Sequence, residues 1–578
     1  MQGTHDSQHP SLTGSSNIRQ IQRHPRGLVT HIGLGVAALT AALALTGCND
    51  DITTPADQPF VDNTAYSSKA GDGLAAAQVN EHAAVMHHQW SANGTTVNYT
   101  TTMGHLTASD PGGNAEASMS YVAYTAPSTD GSPRPVTFVY NGGPGSSSVW
   151  LRLGAFAPTR VATPDPLMTG WPNFPIVDNQ ESLIATTDLV YIDPPGTGLS
   201  EAIQPNTNKT FWGTDPDVSV MRDFIRRYLT ANNRASSPIY LYGESYGTPR
   251  TDMLALSLES AGVHLTGIVL QSSILNYMAS TGDTSAGSIP SYAAVAAYFN
   301  QVSPSPTNLG AYTQQIQSFV TGQYAQIVQY STANPQVVID AATLASWSGQ
   351  TGLTNAALSG YFQYYYDTEA SPGQTVLVPG STIGRYDGRV ILPNSDPRLA
   401  SDNDPSDILI NTPFTNALAT QMPGYLGYTA PNATFSLLND DIIGVWNFSH
   451  GGQPQPDTIP DLLAALTLNP QLKVLSENGY HDLATPYFET EKELARLQTV
   501  PGLNPNIQLT FYQGGHMIYL DNVARPKMQA DLVSYYQNKP LTASLSLAQL
   551  SAPWTDEHPA NTATTVAAMK ATVKAAAR

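Results

Sequence analysis

Ile239-Tyr240-Leu241-Tyr242-Gly243-Glu244-Ser245-Tyr246-Gly247 is the stretch on which the fold turns. Four β-prone residues run into Gly243, and a helical pattern follows from about Thr248 to Glu259. A serine between small residues, placed between a strand and a helix, has the pattern of a nucleophile elbow. In such an elbow a strained turn lifts the hydroxyl, and glycines let neighbouring chain come close. The G-x-S-x-G pattern by itself arises by chance in roughly one chain in five of this length at background Gly and Ser frequencies. Its weight comes from the strand–turn–helix context; the bland alternative is a Gly-flanked turn serine.

Working outward, Val136-Thr137-Phe138-Val139-Tyr140 reads as a strand entering a Gly-rich loop, and Leu189-Val190-Tyr191-Ile192 as another. Asp215-Pro216 opens a helix, because Asp can cap it and Pro fits its first turn. Val218, Met221, Ile225 and Leu229 keep helical spacing. Gly267-Ile268-Val269-Leu270, Leu472-Lys473-Val474-Leu475 and Ile507 to Tyr512 read as further strands. Helices are expected around Glu489 to Leu497 and from about Pro526 to Tyr536. Strands alternating with helices make an α/β class protein with a mostly parallel central sheet covered on both faces. Val97 to Thr102 and Ala117 to Tyr124, joined by Pro-Gly-Gly, predict a hairpin before it. Residues 277–443, rich in Ser, Tyr, Pro and Asn, break the alternation and read as an inserted cap or lid. The expected core is then 73–276 and 444–558, with a mobile Ala-rich tail at 559–578.

Only 12% of the 578 residues are charged, against about 25% in an average soluble protein. Lys plus Arg number 25 and Asp plus Glu 44, a net charge of −19. No basic stripe is available to neutralise phosphates, which argues against a nucleic-acid partner. Cys48 is the one cysteine, so no disulfide within the chain and no Cys-based metal site is expected. Arg19, Arg23 and Arg26 precede an apolar stretch, Leu28 to Leu45, that ends in Leu45-Thr46-Gly47-Cys48. That order of basic, apolar and small residues reads as a secretory signal over 1–47. The last four residues resemble a bacterial lipobox, with Cys48 lipidated. A plain membrane anchor is the competing reading. The lipoprotein reading places the protein outside the cytoplasm, held to a bacterial membrane only by its lipid and facing the periplasm. Residues 48–72, polar and Pro-containing, then form a flexible tether.

A serine nucleophile needs a base and a group to orient the base, and on this kind of sheet the chain order is Ser, acid, His. Asp482 follows the strand at Lys473–Leu475, where a carboxylate can fix a histidine's tautomer. Glu477 and His481 compete for that role. His516 follows Gly514-Gly515 at the end of the Ile507–Tyr512 strand and is the candidate base. Oxyanion donors are expected from the backbone N–H of Tyr246 and from the loop Asn141-Gly142-Gly143-Pro144-Gly145. No cofactor or metal is expected. His82, His87 and His88 lack a ligand pattern and read as surface or packing residues, and neither H-E-x-x-H nor a phosphate loop occurs.

Asn141 to Ser148, Asp193-Pro194-Pro195-Gly196-Thr197-Gly198-Leu199-Ser200, Gly243 to Gly247, Asp482 with Pro486, and Gly515-His516-Met517 together resemble the serine carboxypeptidases, peptidase family S10, in their bacterial branch. The resemblance implies an α/β-hydrolase fold and removal of C-terminal residues from peptide substrates through an acyl-enzyme. It also implies Ser245 as nucleophile, His516 as base and Asp482 as orienter, with Gly143 and Tyr246 at the oxyanion. Asn141 and Glu244 would bind the substrate's terminal carboxylate. Two carboxylates meet there, so Glu244 must be protonated and its pKa raised. The chain departs from the family at Ser146, usually Cys, and at Gly247, usually Ala. It also lacks an acid in Val149 to Ala155. Arg152 reads either as a positive partner for the substrate or as a surface or lid-facing residue. An esterase, an acyltransferase or another peptidase on the same triad is the alternative. Tyr361 to Tyr366 reads as a packed lid core or a pocket lining, and Gly384 to Arg389 as an ordered turn with a local Arg–Asp pair.

Overall fold

The computed structural model describes residues 56–163, 174–277, 286–359, 377–503, 505–550 and 573–575. The main sheet has eleven strands among the described residues, ten of them on one path: β1 (Ala83–Ala92), β2 (Thr95–Ser109), β3 (Ala115–Thr125), β4 (Val136–Tyr140), β5 (Asp188–Ile192), β6 (Ile239–Glu244), β7 (Gly267–Gln271), β8 (Lys473–Gly479), β9 (Asn506–Tyr512) and β10 (Ser544–Ser546). Their spatial order is β10-β9-β8-β7-β6-β4-β5-β3-β2-β1, with Glu201–Ala202 pairing β3 off this path. From β5 to β9 every neighbouring pair is parallel. The hairpins β1–β2 and β2–β3 are antiparallel. The exchange of β4 and β5 in the order, and the antiparallel strands at one edge, make this an α/β-hydrolase fold. Strands β4 to β8 are almost wholly buried, as apolar runs covered on both faces should be.

Two apolar cores lie against the two faces. One packs the helices Thr214–Ala231, Gly247–Ser260 and Ile459–Leu468 on the sheet through Phe138, Leu241, Ile268, Phe224 and Leu254. The other packs Ala524–Tyr536 on it through Val139, Tyr242, Val269, Leu475 and Met528. The helix after β6 spans Gly247–Ser260, one residue beyond the expected range at each end. The expected helix at Asp215-Pro216 begins one residue earlier, at Thr214.

Between β7 and β8 the chain leaves the sheet and returns beside it, Gly267 pairing with Lys473. Before the sheet-packed helix Ile459–Leu468, the excursion carries five helices of nine residues or more among the described residues, from Ile289–Tyr298 to Pro405–Gly424. It has a core of its own around Ile289, Tyr324, Trp347 and Leu358. A second cluster joins its Phe414 to Trp150 beside the Gly-rich loop, ring centroids 5.2 Å apart. Tyr361 to Tyr366, Cys48 and the 1–47 segment lie outside the described residues. Of the tail, only Val573–Ala575 is described, and it pairs antiparallel with Val337–Ile339 where no structure was expected.

The tether reading of 48–72 is corrected over its described part. Phe60–Val61 pair parallel with Tyr428–Thr429. Asp62, 1% exposed, accepts hydrogen bonds from Tyr66 Oη at 3.0 Å, Tyr428 Oη at 2.7 Å and Thr64 N at 3.0 Å. These long-range partners order a segment whose polar composition reads as loose. Beneath the elbow, buried Arg250 pairs with buried Asp217 at 2.6 Å and donates to Asn141 O at 2.7 Å. Its guanidinium also lies over the Tyr140 and Tyr246 rings.

Two stability measurements follow. Asp62→Ala strips two buried hydroxyls of their acceptor, and should cost about 2 kcal/mol in chemical denaturation. Arg250→Met leaves Asp217 charged and unpaired in the core, and should cost about 3–5 kcal/mol. Adding Asp217→Asn should restore a large part of that loss; a double variant as unstable as the single one would refute the ion-pair account.

Candidate active site

The elbow's geometry follows from its sequence. Ser245 adopts φ +60°, in the left-handed region that costs a non-Gly residue energy. Around it the chain is packed tight. A Cβ on Gly142 would sit 2.4 Å from Tyr246 N, so only glycine lets the Gly-rich loop lie against the elbow. A Cβ on Gly247 would sit 3.0 Å from Tyr140 O, tight enough that glycine in place of the family's alanine suits this packing. Among the described residues, no hydrogen bond engages the N–H of Gly143 or of Tyr246. Ser245 is half-buried, while its neighbours Glu244 and Tyr246 are buried.

His516 and Asp482 come together as expected. His516 Nδ1 lies 2.9 Å from Asp482 Oδ2, and both residues are buried. Asp482 Oδ1 accepts the N–H groups of Ala484 and Thr485, each at 2.8 Å, and the Thr485 hydroxyl donates to Oδ2 at 2.7 Å. Burial opposes a charge on His516, but Asp482 outweighs it and the imidazole pKa is raised. Glu477 and His481 are set aside as orienters. Glu477 is inside β8, and buried His481 is held neutral and packs its ring edge-on to Tyr298.

Glu244 Oε1 accepts from Asn141 Nδ2 at 3.1 Å, and Oε2 from Gln271 Nε2 at 3.0 Å. Its pKa is pushed up to about 7, first by burial and then by the Asp482 charge, against the pull of His516, Tyr519 and Asn141. Burial thus raises it even before a second carboxylate arrives. Of the readings of Arg152, the structure bears out the lid-facing one and corrects the substrate partner and the surface residue. It is 3% exposed and donates to Gln421 of the insertion, which donates in turn to Thr159.

Sequence reading missed two parts of the site. Gln271, where the apolar run of β7 ends, binds the triad region three ways. Its main-chain oxygen accepts from Ser245 N at 3.1 Å, and its side-chain amide donates to Glu244 and to His516 O at 3.2 Å. Its polar side chain at the C-terminal end of a parallel strand was the available signal. The turn Gly384–Arg389 does more than form the expected Arg389–Asp387 pair, found at 2.7 Å. Tyr386 O accepts from His516 N at 2.5 Å, and Arg385 O from Leu483 N at 3.1 Å. The Tyr386 ring lies 5.1 Å from the His516 ring. Arg389 also donates to Gln513 O and pairs with Asp521, each at 2.9 Å. Asp193 accepts from Ser148 N and Ser120 Oγ, each at 2.8 Å, which gives its motif the work of anchoring the loop after β4. His87 bonds Asp57, and His88 stacks on Tyr425.

A buried acid–histidine pair and a serine on a strained turn, both bonded to Gln271, are the groups that acyl transfer uses. Solved structures similar to the chain include a prohormone-processing carboxypeptidase of Saccharomyces cerevisiae, at 16% identity, covering 76% of this chain and 91% of that one with a TM-score of 0.46. A proline iminopeptidase of Mycobacterium smegmatis is 12% identical, covering 78% and 98%, with a TM-score of 0.29. A rice cell-wall-degrading esterase of Xanthomonas oryzae is 13% identical, covering 78% and 96%, with a TM-score of 0.33. No curated protein matches. The family model described as serine carboxypeptidase matches residues 92–261. That stretch holds the Gly-rich loop, the Asp193 motif and the elbow, and over it the chain is similar to the serine carboxypeptidases.

Proposed function

We propose that this serine hydrolase is a carboxypeptidase working through an acyl-enzyme. Ser245 Oγ attacks the carbonyl of the last peptide bond while His516 Nε2 takes its proton. Asp482 holds the Nδ1 hydrogen and stabilises the imidazolium. The N–H groups of Gly143 and Tyr246 donate to the oxyanion that forms. His516 then protonates the leaving amine, and water repeats the cycle on the ester. The lipidated N-terminus at Cys48 would place this activity outside the cytoplasm.

One observation carries the carboxypeptidase reading over a general hydrolase. Glu244, next to the nucleophile, shares a hydrogen bond with Asn141 and has its pKa raised to about 7. Below that value it is a neutral acid and can donate to a substrate carboxylate. The family's further acid after the Gly-rich loop is absent, and Gln271 takes the other oxygen of Glu244. That substitution favours a second reading, an esterase or acyltransferase on the same triad.

The two readings part on one comparison. An N-blocked dipeptide with a free C-terminus, its amide and a simple ester are assayed near pH 5, with Ser245→Ala as blank. Preference for the free acid supports the carboxypeptidase; turnover of the ester alone moves the protein to the second reading. The pH dependence gives a separate check. Glu244 must be protonated, so kcat/KM for the free acid should fall as pH rises from about 5 to 8, through the raised value of about 7. Glu244→Gln should flatten that fall, and an unchanged profile would sink the assigned role.

A further inference from the structure

The Gln271 amide is itself held from beneath, by residues the proposed reaction does not use. Tyr242 Oη lies 2.8 Å from Gln271 Oε1 and 2.8 Å from Glu477 Oε2. A phenol has one hydrogen to give. On its other side Gln271 faces His516 O, a main-chain carbonyl that can only accept, so the NH2 group must point there. Gln271 Oε1 therefore faces Tyr242 and takes its hydrogen. Glu477 can then bond Tyr242 Oη only as a donor. We infer that Glu477 is a positioning residue: a neutral carboxylic acid heading a hydrogen-bond relay, through Tyr242 and Gln271, that sets Glu244 and the main chain of His516.

Burial agrees with the count of hydrogens. Glu477 is 0% exposed, and its Oε1 has no hydrogen-bond partner. An orphaned carboxylate oxygen away from water is far costlier than the carbonyl oxygen of a neutral acid. Among the described residues, no cation is paired with it. Tyr242 faces it from β6, Tyr512 from β9, and Asp531, Tyr535 and Tyr536 from the helix Ala524–Tyr536. Asp531 is an acid, accepting from Tyr512 Oη at 2.9 Å. Lys473, at the far end of β8, donates instead to Tyr240, Tyr535 O and Asn538. Burial first, and the Asp531 charge after it, push Glu477 up to about 8, against the Tyr242 hydrogen bond. When Glu477 ionises, the Tyr242 hydrogen turns towards it and Gln271 Oε1 loses its donor. The grip on Glu244 and His516 then loosens at the alkaline end.

The relay rests on the roles given above to Ser245, His516 and Glu244, so two readouts are needed. One is labelling of Ser245 by a fluorophosphonate without a carboxylate, followed from about pH 5 to 10. The other is melting temperature against pH, which requires no activity. Wild type should lose labelling rate about tenfold above pH 8. Glu477→Gln keeps a donor for Tyr242 at every pH. It should match wild type within about twofold at pH 6 and lack the alkaline fall. Tyr242→Phe removes the donor to Gln271 and should label about tenfold more slowly at pH 6. Between the ordinary 4.5 and about 8 the native state holds a proton that the unfolded chain has released. Stability from Glu477 is therefore present below that window and lost as pH rises through it. Glu477→Gln should flatten the decline in melting temperature. An alkaline fall that survives in Glu477→Gln, or wild-type labelling in Tyr242→Phe, overturns the relay. If wild type is not labelled at all, the functional reading fails by itself. Melting then decides, and parallel curves for wild type and Glu477→Gln overturn the relay.

Discussion

The side chain and main chain of Gln271 form the joint on which the site depends. Its carbonyl takes the N–H of Ser245, which fixes the entry into the strained turn. Its amide takes Glu244 on one side and the carbonyl of His516 on the other. Ser272 extends the same grip, donating its hydroxyl to His516 O at 2.6 Å and its N–H to Glu477 O at 2.9 Å. The candidate nucleophile and the candidate substrate-binding acid both come from the end of β6 and the candidate base follows β9, and one short segment at the end of β7 touches all three. Rigid strands set those ends at a fixed spacing, so the side chains between them have little freedom to misplace the reacting groups.

The insertion completes the arrangement from above. Its turn Gly384–Arg389 accepts hydrogen bonds from the loop of the acid and from the loop of the base. Arg389 ties that turn to Gln513 and Asp521 beside the base. The excursion between β7 and β8 therefore helps to hold the loops of the candidate acid and the candidate base. A displacement of this turn would act on His516 through its main chain before it changed any substrate contact.

How much was legible follows from which forces are local. The elbow, the Gly-rich loop and the order Ser245, Asp482, His516 were readable because strand–turn–helix punctuation is written in neighbouring residues. Gln271 and Tyr386 were not, because their importance lies in partners far along the chain, as with Tyr386 and His516. The segment before β1 failed for the same reason. Its Pro, Asp and Thr content argues for a tether, while Asp62 is ordered by Tyr428, more than 300 residues away. Strand β1 was passed over because Ala83 to Ala92 lacks a clean alternation, and its burial pattern is equally mixed. Arg152 was left open between a substrate partner and a surface or lid-facing residue, because only the fold brings Gln421 of the insertion to its hydrogens.

Charge scarcity connects these features. With 25 Lys and Arg against 44 Asp and Glu, the fold cannot give every buried acid a cation. Asp217 receives Arg250, and Asp482 receives His516 and two backbone N–H groups. Among the described residues, Asp193 and Glu244 accept hydrogen bonds, Glu477 lies against Tyr242, and none of the three has a salt-bridge partner. Burial raises them to about 6, about 7 and about 8. Each holds its proton in the native state at a pH where the unfolded chain has lost it. The stability they bring is complete below the ordinary carboxylate range and drains away as pH rises through these values. The protonation that keeps these acids compatible with burial is also the form in which Glu244 can grip a carboxylate and Glu477 can donate to Tyr242. Folding and the proposed chemistry therefore favour the same side of neutrality, because both draw on the same undissociated protons.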